Sequence, residues 1–276
     1  MTKITQKPDG TVTFDLVITK DKIAQEYQHV LEEVAKTAEI KGFRKGKAPI
    51  KMVEARSDKS ELYSHVLDHV LSPAYSEVIH EHKLVPLIDP RVNPKSMEEG
   101  KDWVMSVELA IKPDLEIGDY EKMVKAAIKK HDKVHKHEPK KDQKPEEFAQ
   151  EVKDHKLNVI FDTLLDETKF SVAPLLVEEE TKAALSRLTQ QLSQLKISVA
   201  DYAKSIKKST EELIAEYKKS AESNLKLEFI LQKLIEDKNE VVTEEEISAL
   251  KPQKGQEGYA KYVIQKRKLL DFLTEL

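Results

Sequence analysis

The sequence predicts an α+β region, with a small antiparallel sheet and long helices, followed by an all-α, arm-like region. Three observations carry this. Alternating apolar runs stand at both ends of the first 117 residues with helical spacing between them. Glycine is absent between Gly118 and Gly255, and from residue 146 onward apolar side chains recur every three to four positions.

The elements read in order. Lys7-Pro8-Asp9-Gly10 is a turn, after which Val12, Phe14, Leu16 and Ile18 alternate as a half-buried strand. Ile23, Tyr27, Val30, Leu31 and Val34 follow at helical spacing, with Thr19 or Asp21 as the cap. Pro49 suits the first turn of a helix, and Asp58 with Glu61 is a capping-box-like start for another. That helix bears Leu62, Val66, Val70, Tyr75 and Ile79, and Pro73 is expected to kink it. Residues 84–100 are Pro-rich and read as irregular, and Trp103, Met105, Val107, Leu109 and Ile111 form a final strand.

From Gly118 the composition shifts. Residues 125–144 hold eight lysines, three acids and three histidines; the first part is compatible with a helix, but the later part has too little apolar content to pack, so the stretch 118–145 reads as a charged linker. Beyond it, Phe148, Val152, Val159, Ile160 and Leu164 begin one apolar stripe. Val177, Ala184, Leu188, Leu192 and Leu195 form a second. Ser198 opens a short helix; Ser209 with Glu212 is a capping box ahead of a long one; Thr243 with Glu246 starts the next; and Tyr259–Leu273 close the chain. Narrow stripes on about six helices suggest arms more than a ball.

Composition excludes several classes. With no cysteine there is no disulfide or thiol chemistry. The N-terminal residues lack an apolar leader segment and no stretch approaches a membrane span, so no membrane partner is expected. A net charge of −4 argues against nucleic-acid binding by the whole chain, so any such contact is local. No Gly-x-Ser-x-Gly, complete Walker or His-Glu-x-x-His motif is present, and no catalytic residue, metal or other cofactor is expected. His65 and His69 share a helix face, but Val66 stands where a zincin needs Glu, so they read as solvated or core-edge histidines. His131, His135 and His137 lie in a Lys-rich stretch that repels cations, and the acidic run 178–180 reads as charge at a helix start.

The most informative segment is Gly42-Phe43-Arg44-Lys45-Gly46-Lys47-Ala48-Pro49. Two of the seven glycines in the chain frame a tip that combines one aromatic ring with two cations. Glycine permits a tight loop, and aromatics with Arg dominate binding hot spots. Between residues 40 and 60 there are seven cations against two acids, a local basic face on an acidic protein. A P-loop is rejected, because it needs four residues between the glycines and Ser/Thr after the Lys; here there are three, and Ala48. The segment reads as a docking loop for a large anionic assembly, against the plainer reading of a basic surface turn.

This octapeptide resembles the signature of trigger factor, the bacterial ribosome-associated chaperone family. The similarity runs through about residue 117, down to Lys112-Pro113-Asp114-Leu115-Glu116-Ile117, and resumes more weakly at Phe170-Ser171-Val172-Ala173-Pro174-Leu175-Leu176-Val177-Glu178. The resemblance implies a ribosome-binding domain over 1–117 and a helical substrate-binding domain over 146–276, with the linker 118–145 standing where the family inserts its prolyl-isomerase domain. It implies a cytoplasmic, ATP-independent chaperone that docks beside the exit tunnel of the large ribosomal subunit and shelters unfolded or nascent polypeptides. Phe43 would pack on a ribosomal protein, Arg44 would pair with an acidic side chain there, and Lys45 and Lys47 would face rRNA phosphate. Gly42 and Gly46 would shape the loop, and Pro49 would start the next helix. Self-association into a homodimer off the ribosome is compatible with it. The rival readings are a ribosome-independent holdase and a prolyl isomerase hidden in the N-terminal region.

Overall fold

The computed structural model describes residues 2–134 and 144–276. The chain divides into two compact units, Met1–Lys112 and Pro113–Leu276.

In the first unit, strands β1 (Ile4–Gln6), β2 (Thr11–Ile18), β3 (Arg91–Ser96) and β4 (Trp103–Ala110) form one antiparallel sheet in the order β1-β2-β4-β3. The alternation read from the sequence sets its buried face. Val12, Phe14, Leu16 and Ile18 lie opposite Leu109, Val107, Met105 and Trp103, and all eight are buried. Each such side chain contributes about 1.5–3 kcal/mol relative to exposure. Helices α1 (Lys20–Thr37) and α3 (Lys59–Glu81) cover that face with Ile23, Val30 and Leu31 from one and Leu62, Val66, Val70, Ala74 and Val78 from the other. Thr19 caps α1 by accepting from the Lys22 amide, and Asp58 caps α3 by accepting from the Ser60 amide. A short helix, α2 (Ile50–Glu54), lies between them.

Two readings of this unit need correction. The strand β1 has only three residues, too few for a period to show. The stretch expected to be irregular contains β3, which tolerates Pro94 because it is a sheet edge with a register shift between Pro94 and Ser96. Pro73 lies within helix α3.

The second unit is helical throughout its described residues: α4 (Tyr120–Val134), α5 (Pro145–Glu167), α6 (Pro174–Gln194), α7 (Val199–Ser205), α8 (Thr210–Lys238), α9 (Glu244–Ala249) and α10 (Glu257–Glu275). The 29-residue α8 runs about 43 Å and serves two cores. Its C-terminal half gives Ile230, Leu231, Leu234 and Ile235 to a large cluster with Val124, Ile128, Ile160, Leu164, Leu269 and Leu273. Its first turn gives Leu213 to a small cluster with Leu188, Leu192 and Ala203. The capping boxes at Ser209/Glu212 and Thr243/Glu246 are both formed, and Asn239 ends α8 in the left-handed region.

The segment 118–145 is not a linker over its first half. Val124 and Ile128 of α4 are buried in the large cluster, an apolar stripe one turn long that the surrounding lysines mask in the composition. Residues 135–143, including His135 and His137, lie outside the described residues. Leu195 also departs from expectation: it follows the last residue of α6 and is 67% exposed rather than part of the stripe.

Helices α8 and α10 are joined by a polar contact with a pH signature. Glu228 accepts from the Tyr262 hydroxyl and from Lys266 Nζ at 2.7 Å. Burial alone raises the Glu228 pKa, but the Lys266 and Tyr262 donors outweigh it and hold the carboxyl below its usual range. A carboxyl lowered in the folded state stabilises above its unfolded pKa, and that contribution is lost as pH falls through the folded value. Glu228→Gln should therefore make acid unfolding less steep, at a cost of about 1 kcal/mol near pH 7, because the site is partly solvated. Circular dichroism unfolding across pH 3–7 (a range of about four pH units spanning carboxylate titration) checks this.

Candidate docking loop

The octapeptide leaves the C-terminus of α1 and enters α2, with all seven expected site residues on one loop. Its backbone is two successive tight turns. The Phe43 amide donates to the Ile40 carbonyl at 2.9 Å, and the Lys47 amide donates to the Arg44 carbonyl at 2.9 Å. The third position of each turn is a glycine with positive φ, Gly42 at 97° and Gly46 at 72°, as a type II turn requires. The repeat of Lys-Gly and Arg-Lys-Gly in the sequence is thus the repeat of one turn.

The glycines are not equivalent. A Cβ on Gly42 would meet nothing within 4 Å, whereas one on Gly46 would lie 2.5 Å from the Lys36 carbonyl oxygen in the last turn of α1. The Gly46 amide also donates to Ala38 O at 3.1 Å, fastening the loop to the helix end. We expect Gly42→Ala to cost about 1 kcal/mol from backbone strain alone and Gly46→Ala about 2–3 kcal/mol, since the helix terminus must move as well. Urea unfolding of the two variants tests the order.

Beneath the tip, Ile40 and Val53 are buried and anchor the loop at each end. The Tyr27 hydroxyl donates to Glu54 Oε1 at 3.3 Å, tying α1 to α2. Burial, then the adjacent Glu54 carboxylate, push the Tyr27 phenol up to about 12, so it stays a donor at physiological pH. Pro49 is the residue preceding α2 rather than its first turn; its carbonyl accepts from the Met52 amide at 2.9 Å.

Above this base, Phe43 is 40% exposed and is not drawn into the unit's core. Arg44, Lys45 and Lys47 are exposed. Lys45 meets Glu39 at 3.1 Å, an open ion pair that solvent weakens. Arg44 and Lys47 form no ion pair with a described residue. The arrangement can present one apolar ring and several cations together to a partner bearing an apolar pocket and anionic groups, with its backbone already fixed before contact.

A second surface escaped the sequence reading. Around the small cluster at the start of α8, Leu195, Ile197, Ile206 and Ile214 are 37–67% exposed. Leu195 and Ile197 follow the end of α6, Ile206 follows the end of α7, and Ile214 lies near the start of α8.

Residues 1–144 match the family described as bacterial trigger factor protein (TF), and residues 136–275 match the C-terminus of the same family. The chain belongs to the trigger factor family. Because the two matched stretches overlap at 136–144, no further domain stands between them. The chain is 38% identical over 111 residues to the trigger factor of Listeria welshimeri serovar 6b, covering 40% of this chain and 26% of that relative. It is 36% identical over 114 residues to the trigger factor of Streptococcus mutans serotype c, covering 41% of this chain and 26% of the relative. The matched stretch thus spans about a quarter of the curated relatives. A solved trigger factor chaperone, studied for promiscuous substrate recognition in folding and assembly, shares the fold with a TM-score of 0.66. The match covers 100% of this chain and 99% of that one at 15% identity. Among the described residues, no helix is long and apolar enough to cross a membrane.

Proposed function

We propose that this trigger factor family member is an ATP-independent cytoplasmic chaperone that docks near the exit tunnel of the large ribosomal subunit and shelters emerging chains. The observation that carries the reading is the exposed Phe43, held among open cations by two glycine turns within the region that matches the family. Phe43 packs on a ribosomal protein, Arg44 pairs with an acidic side chain of that protein, and Lys45 and Lys47 face rRNA phosphate. The exposed leucine and isoleucines around Leu195 and Ile214 offer an apolar surface for clients, which favour such patches while their own cores are unmade. We assign no catalytic role, a reading supported by the adjoining family matches at residues 1–144 and 136–275.

A photocrosslinking residue in place of Phe43, activated in the presence of ribosomes, tests the docking assignment. The expected product is a covalent adduct with a protein of the large subunit. If the chain pellets with ribosomes but this position forms no ribosomal adduct, the loop is not the contact.

A further inference from the structure

Glu26 and His29 lie on α1, one turn apart, and His69 reaches them from α3 across the helix–helix contact. Both imidazoles direct Nδ1 to the same oxygen, Glu26 Oε1, His29 at 2.9 Å and His69 at 2.8 Å. The ligand-capable atoms of the three residues lie within 4.8 Å of one another. On its far side, the Nε2 of His29 is 3.7 Å from Glu33 Oε1.

We propose that Glu26, His29 and His69 form a binding site for a divalent transition metal of the zinc type that staples α1 to α3. Two imidazole nitrogens and one carboxylate oxygen favour zinc, nickel or copper over magnesium or calcium, which select oxygen ligands. Zinc bonds of about 2.0–2.1 Å in a tetrahedron separate ligand atoms by roughly 3.3 Å. The two nitrogen–oxygen distances therefore open by only about half an ångström to seat the ion, a change that partly exposed side chains make by small rotations. Metal-bound histidines commonly donate their other ring N–H to a carboxylate, and Glu33 is placed to receive it from His29. The site faces solvent, so water completes the fourth position. The consequence is local: α1 leads directly into the glycine turns, and a bound ion fixes the helix from which the loop departs.

Calorimetric titration of the full chain with Zn²⁺, paired with the visible absorption of Co²⁺, tests this. The expected result is one equivalent bound at this site with the intense spectrum of a four-coordinate Co²⁺ ion. His29→Ala and His69→Ala should each weaken uptake at least tenfold, and Glu33→Gln about tenfold. The double variant His29→Ala/His69→Ala should lose this equivalent while keeping its far-ultraviolet circular dichroism. The other histidines are common to all variants, so only the difference reports on these residues. Failure of the wild type to bind, or equal uptake by the double variant, overturns the proposal.

Discussion

Alanine at Phe43, Arg44 and Lys45 together is expected to abolish co-sedimentation with ribosomes while changing folding stability by no more than about 0.5 kcal/mol. The asymmetry follows from where the side chains sit. Phe43 is 40% exposed, and Arg44 and Lys45 lie on the same tip, so truncation empties no core. Among the described residues their one ion pair, Lys45 with Glu39, is open to solvent and contributes little. At an interface the same groups act as an aromatic anchor and a cationic guide. Truncating a hot-spot residue costs at least about 2 kcal/mol, so two such losses weaken binding roughly a thousandfold. Suppression of client aggregation should persist in the variant, since the exposed apolar surface at the start of α8 is untouched. Variant and wild type pelleting alike would place docking elsewhere, and a wild type that does not pellet would favour the ribosome-independent holdase.

The largest stability effect is expected from Trp103→Ala, a loss of about 3–5 kcal/mol. Trp103 is 2% exposed and pairs across the sheet with Ile18. Its ring meets Tyr63 of α3 edge-on at 5.7 Å, and Tyr63 meets Tyr27 of α1 at 5.1 Å. Tyr27 in turn bonds Glu54 of α2. The aromatic row thus links the sheet to both helices that flank the docking loop, and removing its largest member leaves a cavity beneath that link. Since a domain is stable by only about 5–15 kcal/mol, the loss is a large share. Urea unfolding followed by circular dichroism measures it. Trp103→Phe, which keeps an aromatic ring, should lose less than half as much. An unchanged unfolding midpoint in the alanine variant would remove the row from its supporting role.

The residues that were legible in the sequence are those whose role is local. Alternation in β2 and β4 shows which side faces the helices, and Thr19, Ser209 with Glu212, and Thr243 with Glu246 announce helix starts by side-chain chemistry. The docking loop was legible because its glycines, ring and cations are contiguous. The rest depends on neighbours distant in sequence. The strand β3 exists because β4 offers it an edge partner despite Pro94. Helix α4 is held by Val124 and Ile128 against residues of α5, α8 and α10, which composition dominated by lysine conceals. The exposure of Leu195 depends on where α6 stops. Sequence spacing sets His69 beside His65 on its own helix, whereas its partner Glu26 is 43 residues away and reached only by packing.

The central claim, that the loop grips a large anionic assembly, is tested most directly by ribosome affinity measured across a salt series. Contact of about three of the cations between residues 40 and 60 with phosphate, Lys45 and Lys47 among them, predicts that log affinity falls against log salt with a slope of roughly −2 to −3, and that alanine at Arg44, Lys45 and Lys47 removes most of that slope. Affinity indifferent to salt, or the same slope after those lysines and the arginine are gone, would contradict it.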